Sequence, residues 1–115
     1  MDIESIKNKL RNFSKDRDWE QYHTPKNLVM ALSVEASELL EIFQWSKDGG
    51  LSEIKDKETR NDIENEIADI FNYLIKLVDL LDIDLEKKSL EKIKLNEKKY
   101  PIDKSKGKST KYSKL

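Results

Sequence analysis

The chain has 115 residues, of which 37% are hydrophobic and 39% charged, with a formal net charge of −1. It holds no cysteine, three glycines and two prolines, which excludes a disulfide scaffold and thiolate metal sites and argues against a many-turned β fold. So much charge with so little apolar content would suit a disordered chain, but the apolar residues recur at regular spacing. The composition therefore reads as long, solvated amphipathic helices in one domain.

Ile3, Ile6, Leu10 and Phe13 repeat at three- and four-residue steps, which predicts a first helix over roughly residues 2–14. The polar stretch "SKDRDWEQYHTPKN" follows and ends in Thr24-Pro25, an N-cap with proline at the first helical position. A second helix then runs to about Trp45, until the two glycines of "SKDGGLS" break it. A third helix occupies most of residues 53–81, with Ile63, Ile67, Ile70, Phe71, Leu74, Leu77, Val78 and Leu81 as its apolar stripe. Asp84 is a suitable cap for a fourth helix over about 85–100, which Pro101 stops. The expected fold is all-α, a compact bundle of about four helices over residues 1–100 with a basic tail at 101–115. Val29 and Leu40 on the second helix and Ile75 on the third lie about 100° from the main stripes, and these secondary patches suggest contacts between subunits.

No signal peptide is recognisable and no apolar run approaches a membrane span, so the expectation is a soluble, cytoplasmic protein without a membrane partner. The tail carries five lysines and one aspartate, leaving the first 100 residues 17 basic and 22 acidic side chains. An acidic body argues against a broad nucleic-acid surface. The tail reads either as a solvated terminus or as a segment that closes over an anion.

The second helix poses a problem. With about 100° per residue, Leu28, Leu32, Leu39, Ile42 and Phe43 form one stripe, and Glu35 falls near its middle. Glu38 and Trp45 flank that stripe on one side. On the third helix Glu66 lies roughly 75° from the centre of its own stripe, with Asp69 and Tyr73 further out. Glu35 with Glu38, and Glu66 with Asp69, are thus two acidic pairs at the edges of apolar stripes, each three residues apart and sharing a helix face. Five acidic pairs have this spacing in the chain, so spacing alone does not single out a site. Burial does. An unpaired buried carboxylate costs several kcal/mol, and three more acids nearby add repulsion unless one protonates or a cation intervenes. An all-oxygen donor set suits Mg²⁺ or Mn²⁺ rather than zinc, and Mg²⁺ commonly bridges to substrate phosphates. A di-iron bundle would need Glu-x-x-His motifs on facing helices; the one histidine, His23, lies in a loop.

"EASE" followed by "EIAD", with 27 residues between Glu38 and Glu66, resembles the E-x-x-E…E-x-x-D signature of MazG-type nucleoside triphosphate pyrophosphohydrolases. "RDWEQYHTPKNL", "ASELLEIFQW", "EIADIFNYL" and "KIKLNEKKYP" each resemble a segment of the dCTP pyrophosphatase branch, in the same order and at similar spacing. The resemblance covers roughly residues 5–112. It implies an all-α fold and Mg²⁺-dependent hydrolysis of a nucleoside triphosphate, dCTP or a modified dCTP first, to monophosphate and pyrophosphate. Glu35, Glu38, Glu66 and Asp69 match its metal-binding carboxylates. Glu38 and Glu35 are the candidate catalytic groups; the base is open among Glu35, Glu38 and Asp69, with Glu38 preferred because it is less central to the apolar stripe. Trp19, His23 and Trp45 match positions lining the nucleoside pocket. Tyr73, Lys92, Asn96 and Tyr100 match substrate contacts around the sugar and phosphates, and a homodimer or homotetramer is implied. Lys92, Asn96 and Tyr100 recur every fourth residue and so share one helix face. The alternatives are a house-cleaning hydrolase for other or non-canonical triphosphates and a non-catalytic nucleotide-binding helical module.

Overall fold

The computed structural model describes residues 1–115. The chain is all helical, with α1 at Ile3–Asp16, α2 at Pro25–Ile42, α3 at Lys57–Leu80, α4 at Leu85–Lys99 and a one-turn α5 at Ile102–Ser105. Short 3₁₀ turns lie at Glu20–Tyr22, Leu51–Ile54 and Tyr112–Lys114. These elements form two compact units, Met1–Asp82 and Ile83–Leu115. The compositional break at Pro101 falls inside the second unit. No helix is long and apolar enough to cross a membrane.

The helix starts follow their caps. The side chains of Asp2, Thr24, Asp56 and Asp84 each accept a hydrogen bond from the backbone N–H three residues on, at 2.9–3.2 Å. Each satisfies one of the orphan donors of a first turn. Asp56 explains why α3 begins at Lys57, within the expected 53–81. At its far end, Asp82 takes a positive φ of 51°, a left-handed turn that aspartate tolerates.

The second helix ends at Ile42, three residues before Trp45. The cause lies beyond it. Glu53 accepts from the amides of Lys47 at 3.2 Å and Asp48 at 3.0 Å and from the Ser46 hydroxyl. These bonds draw residues 46–48 out of the helical path. Gly49 turns the loop at φ +68°, a conformation favoured by glycine.

In the first unit, α2 packs along α3 and α1 packs on α3. Leu28, Ile63, Ile75 and Val78 form the buried core. Ile75 is 0% exposed, so it belongs to this core and not to a subunit contact. Conversely Ile67, expected in the α3 stripe, is 52% exposed; α2 and α1 cover the other side of α3. Phe13, expected inside, is also half exposed and borders a cavity described below. Arg11 on α1 makes a two-pronged ion pair with Asp79 on α3, its Nε donating to Oδ2 at 2.7 Å and its terminal nitrogen to Oδ1. That fork fixes the rotation of α1 against α3.

Candidate metal and nucleotide site

The two principal helices run antiparallel, as their shared surroundings show. Leu28 lines the same cavity as Ile75, and Glu41 the same cavity as Asp62. This direction brings Glu35 and Glu38 of α2 to Glu66 of α3, with one carboxylate oxygen from each within 4.8 Å of the others. Glu35 and Glu66 are partly buried and Glu38 is exposed. One oxygen of Glu35 and one of Glu66 are sealed from water and have no hydrogen-bond partner.

Buried polar atoms are normally satisfied, and buried carboxylates especially so, because stranded negative charge is costly. The electrostatics show the strain. Burial, then hydrogen bonding to Glu66 and Glu38, then repulsion from Glu38 and Asp69, push the Glu35 carboxyl up from 4.5 to about 7. Burial raises Glu66 as well; a hydrogen bond with Glu35 opposes this, and Glu38 and Asp69 add to it, so the net direction is upward. Two remedies exist: a proton held on Glu35, or a cation shared by the cluster. The orphaned oxygens, their mutual spacing and the all-oxygen donor set fit a divalent cation of the Mg²⁺ or Mn²⁺ type.

Asp69 does not join this triad of oxygens. One helical turn beyond Glu66, it instead lines a cavity of about 320 Å³ together with Phe13, Trp19, His23, Asn72 and Tyr73. Three of the residues expected to meet substrate therefore converge there: Trp19 and His23, expected at the nucleoside, and Tyr73, expected around the sugar and phosphates. The aromatic walls brace one another. Phe13 meets Trp19 edge-on at 5.7 Å between ring centroids, and Trp19 meets His23 at 6.5 Å. The Arg17 guanidinium lies 3.7 Å from the centroid of the Phe13 ring. Burial, followed by the charge of Lys76, lowers the His23 pKa, so the ring is neutral near pH 7. An aromatic slot with a carboxylate at its rim suits a flat heterocycle attached to a cation-bridged anion.

On the other side of the triad, Glu38, Glu41, Asp62, Asn65 and Glu66 border an open cavity of about 380 Å³. Glu41 stays exposed, and Asp62 joins it because antiparallel packing sets the two opposite each other. Trp45 is 87% exposed, follows the end of α2 and lines none of these cavities. Lys92, Asn96 and Tyr100 belong to the second unit and are exposed there. The Tyr100 N–H closes α4 by donating to the Asn96 carbonyl at 2.9 Å. In the same unit Tyr100 meets Tyr112 edge-on at 6.0 Å, and the Lys99 ammonium sits 4.8 Å from the Tyr112 ring centroid. These contacts give the basic tail a defined course around Tyr112.

The sequence reading missed Ser14, Asn72 and Lys76. Ser14 is 1% exposed and accepts a hydrogen bond from the Lys76 ammonium. Of the three, Lys76 alone had a local signal: Asp69, Tyr73 and Lys76 lie at i, i+4 and i+7, on one face of α3.

Fold and site together define an all-α protein whose facing helices carry a carboxylate cluster suited to a divalent cation, beside an aromatic-walled cavity. The MazG-like family pattern matches residues 30–115. The chain is 36% identical over 115 residues to dCTP pyrophosphatase 1 of Rattus norvegicus, covering 98% of this chain and 67% of that protein. With dCTP pyrophosphatase 1 of Bos taurus the identity is 37% over 115 residues, with 98% and 68% covered. The crystal structure of a pyrophosphatase from Archaeoglobus fulgidus superposes with a TM-score of 0.80 at 39% identity, covering 88% of this chain and 94% of that one. This chain belongs to the MazG-like family.

Proposed function

We propose that the protein is a Mg²⁺-dependent nucleoside triphosphate pyrophosphohydrolase that converts dCTP, or a modified dCTP, to the monophosphate and pyrophosphate. The observation that carries this reading is the pair of sealed, unpartnered oxygens on Glu35 and Glu66, converging with Glu38 next to the aromatic cavity. A helical module that only binds a partner has no use for such a cluster. The names of the relatives, dCTP pyrophosphatase 1, support the substrate class.

Glu35, Glu38 and Glu66 would hold the cation, Mg²⁺ or Mn²⁺, and on the family resemblance Asp69 would add a further carboxylate from the rim of the aromatic cavity. When bound, it offsets the negative charge of the triphosphate and supplies Lewis acidity at the phosphates. Trp19, His23 and Tyr73 orient the nucleoside, so that the α-phosphorus lies toward Asp69 and the carboxylates. Glu38, the exposed member of the triad, accepts the proton of the attacking water. The new bond joins the water oxygen to the α-phosphorus, and the bond from that phosphorus to the α–β bridging oxygen breaks. On the family resemblance, Lys92, Asn96, Tyr100 and the lysines of the tail take the sugar and phosphates, and Trp45 the nucleoside. The exposed Val29, Met30, Val34 and Leu40 along α2 support a homodimer or homotetramer.

A hydrolysis screen over the canonical and several modified triphosphates tests this function. Wild type should turn over dCTP fastest. Glu38→Gln should lower kcat by about 10²–10⁴, the usual worth of a general base, with dCMP binding retained. Near-normal turnover by Glu38→Gln would remove Glu38 from the chemistry, and no metal-dependent turnover of any triphosphate would sink the assignment.

A further inference from the structure

A second cavity of about 250 Å³ lies against the aromatic one, and the two share Leu10, Ser14, His23 and Lys76. Lys76 thus stands at the join of two chambers. Its setting is unusual for a lysine. It follows the fully buried Ile75 in an apolar stretch of α3, and its ammonium is turned onto the hydroxyl of the buried Ser14. No carboxylate lies within ion-pair distance of it; Asp79 is engaged by Arg11, and Glu20 and Asp79 act on Lys76 only through space. An ammonium has three donors, and Ser14 accepts one of them.

This bond has a consequence for His23. With its oxygen accepting from Lys76, the Ser14 hydroxyl can turn its own hydrogen to His23 Nδ1, 3.5 Å away. Neutral His23 then accepts at Nδ1 and keeps its proton on Nε2. Lys76 and His23 therefore give this end of the cavity an excess of donors. Lys76 also lies seven residues beyond Asp69 on the same face of α3, about 10 Å along the helix axis. With phosphates held at the carboxylates, that is the end of the cavity that receives the base.

We propose that Lys76 is a specificity-determining residue, which reads the edge of a pyrimidine base and selects cytosine over uracil or thymine, and that the buried Ser14 positions its ammonium. Cytosine presents O2 and an unprotonated N3, two adjacent acceptors, to a cluster of donors. Uracil and thymine carry a proton on N3, which would set donor against donor. The proposal rests on the nucleotide-hydrolase reading and adds the residue that chooses the base.

The test is calorimetric binding of dCMP, dUMP and deoxyribose 5-phosphate to the full chain with Mg²⁺, for wild type, Lys76→Met and Ser14→Ala. Methionine keeps much of the apolar stem of lysine, and Ser14→Ala serves as the milder second variant. Wild type should prefer dCMP over dUMP by about tenfold or more, the worth of one charge-assisted hydrogen bond. Lys76→Met should bring that ratio close to one. Ser14→Ala should reduce it in the same direction, and deoxyribose 5-phosphate should bind all three proteins equally. An unchanged ratio in both variants, or a wild type that binds dUMP as well as dCMP, overturns the proposal. The two readings fail separately: a preserved effect on the ratio without hydrolysis of any triphosphate removes only the hydrolase assignment.

Discussion

Replacing Glu35 with Gln keeps the shape of the side chain and deletes its charge, which isolates the electrostatic cost of the cluster. In the cation-free protein the Glu35 carboxyl is raised from 4.5 to about 7, chiefly by burial and then by Glu66 and Glu38. The folded state therefore holds a proton over that interval which the unfolded chain has released. Stability is thus greatest at the acid end and falls as pH rises through about 7. The full shift corresponds to about 3 kcal/mol. Because Glu35 is only partly buried, solvent screening discounts this to roughly 1–2 kcal/mol, or a melting shift of about 4–8 °C. Thermal melts followed by circular dichroism at about pH 5 and about pH 8 span the transition. Wild type without cation should lose that increment between them, and Glu35→Gln should lose much less. Mg²⁺ at a hundred times its dissociation constant should return about 2.7 kcal/mol to wild type, more at the alkaline end, and distinctly less to the variant. Parallel pH curves and equal Mg²⁺ responses for the two proteins would refute the view that Glu35 is the stranded charge.

Three further outcomes are expected. Ile75→Ala empties a fully buried position and should cost about 2–5 kcal/mol, read as a lowered denaturation midpoint; a loss within error would contradict its place in the core. Trp19→Ala removes a wall of the aromatic cavity and should raise the Michaelis constant for dCTP about tenfold or more, while leaving pyrophosphate inhibition nearly unchanged; equal losses for both ligands would mean that Trp19 only supports the fold. Glu53 is held down at about 2, first by the Ser46 hydroxyl and then by the amides of the loop, so its contribution persists above its ordinary 4.5 and is lost as pH falls toward about 2. Glu53→Gln should speed hydrogen exchange at the Lys47 and Asp48 amides at neutral pH, and unchanged exchange there would show that other contacts fix the loop.

The helices were legible because periodicity and capping agreed: Thr24 and Asp84 cap where the sequence placed them. The boundaries that moved did so for reasons carried by distant or ambiguous residues. Glu53 reaches back to residues 46–48 and ends α2 early, and no local pattern announces such a tether. Ile67 and Ile75 both fit apolar spacing on α3, yet one is exposed and the other buried; their fates depend on where α1 and α2 pack. The acidic site was legible through Glu35, whose position in an apolar stripe was a conflict visible in a single helix. Its exact membership was not, because only antiparallel pairing of α2 and α3 sets Glu35 and Glu38 against Glu66 and leaves Asp69 at the aromatic cavity. Lys76 escaped notice because a lysine in an apolar helix ordinarily extends its stem to solvent, and the buried Ser14 that receives it lies 62 residues away.

The central claim is that the carboxylate cluster serves water attack at the α-phosphorus of a nucleotide. Hydrolysis of dCTP in ¹⁸O-enriched water with Mg²⁺, with the products resolved by mass spectrometry, tests it most directly. The expected products are dCMP and pyrophosphate, with the label on dCMP. Label in pyrophosphate, or release of orthophosphate with dCDP, would contradict the claim.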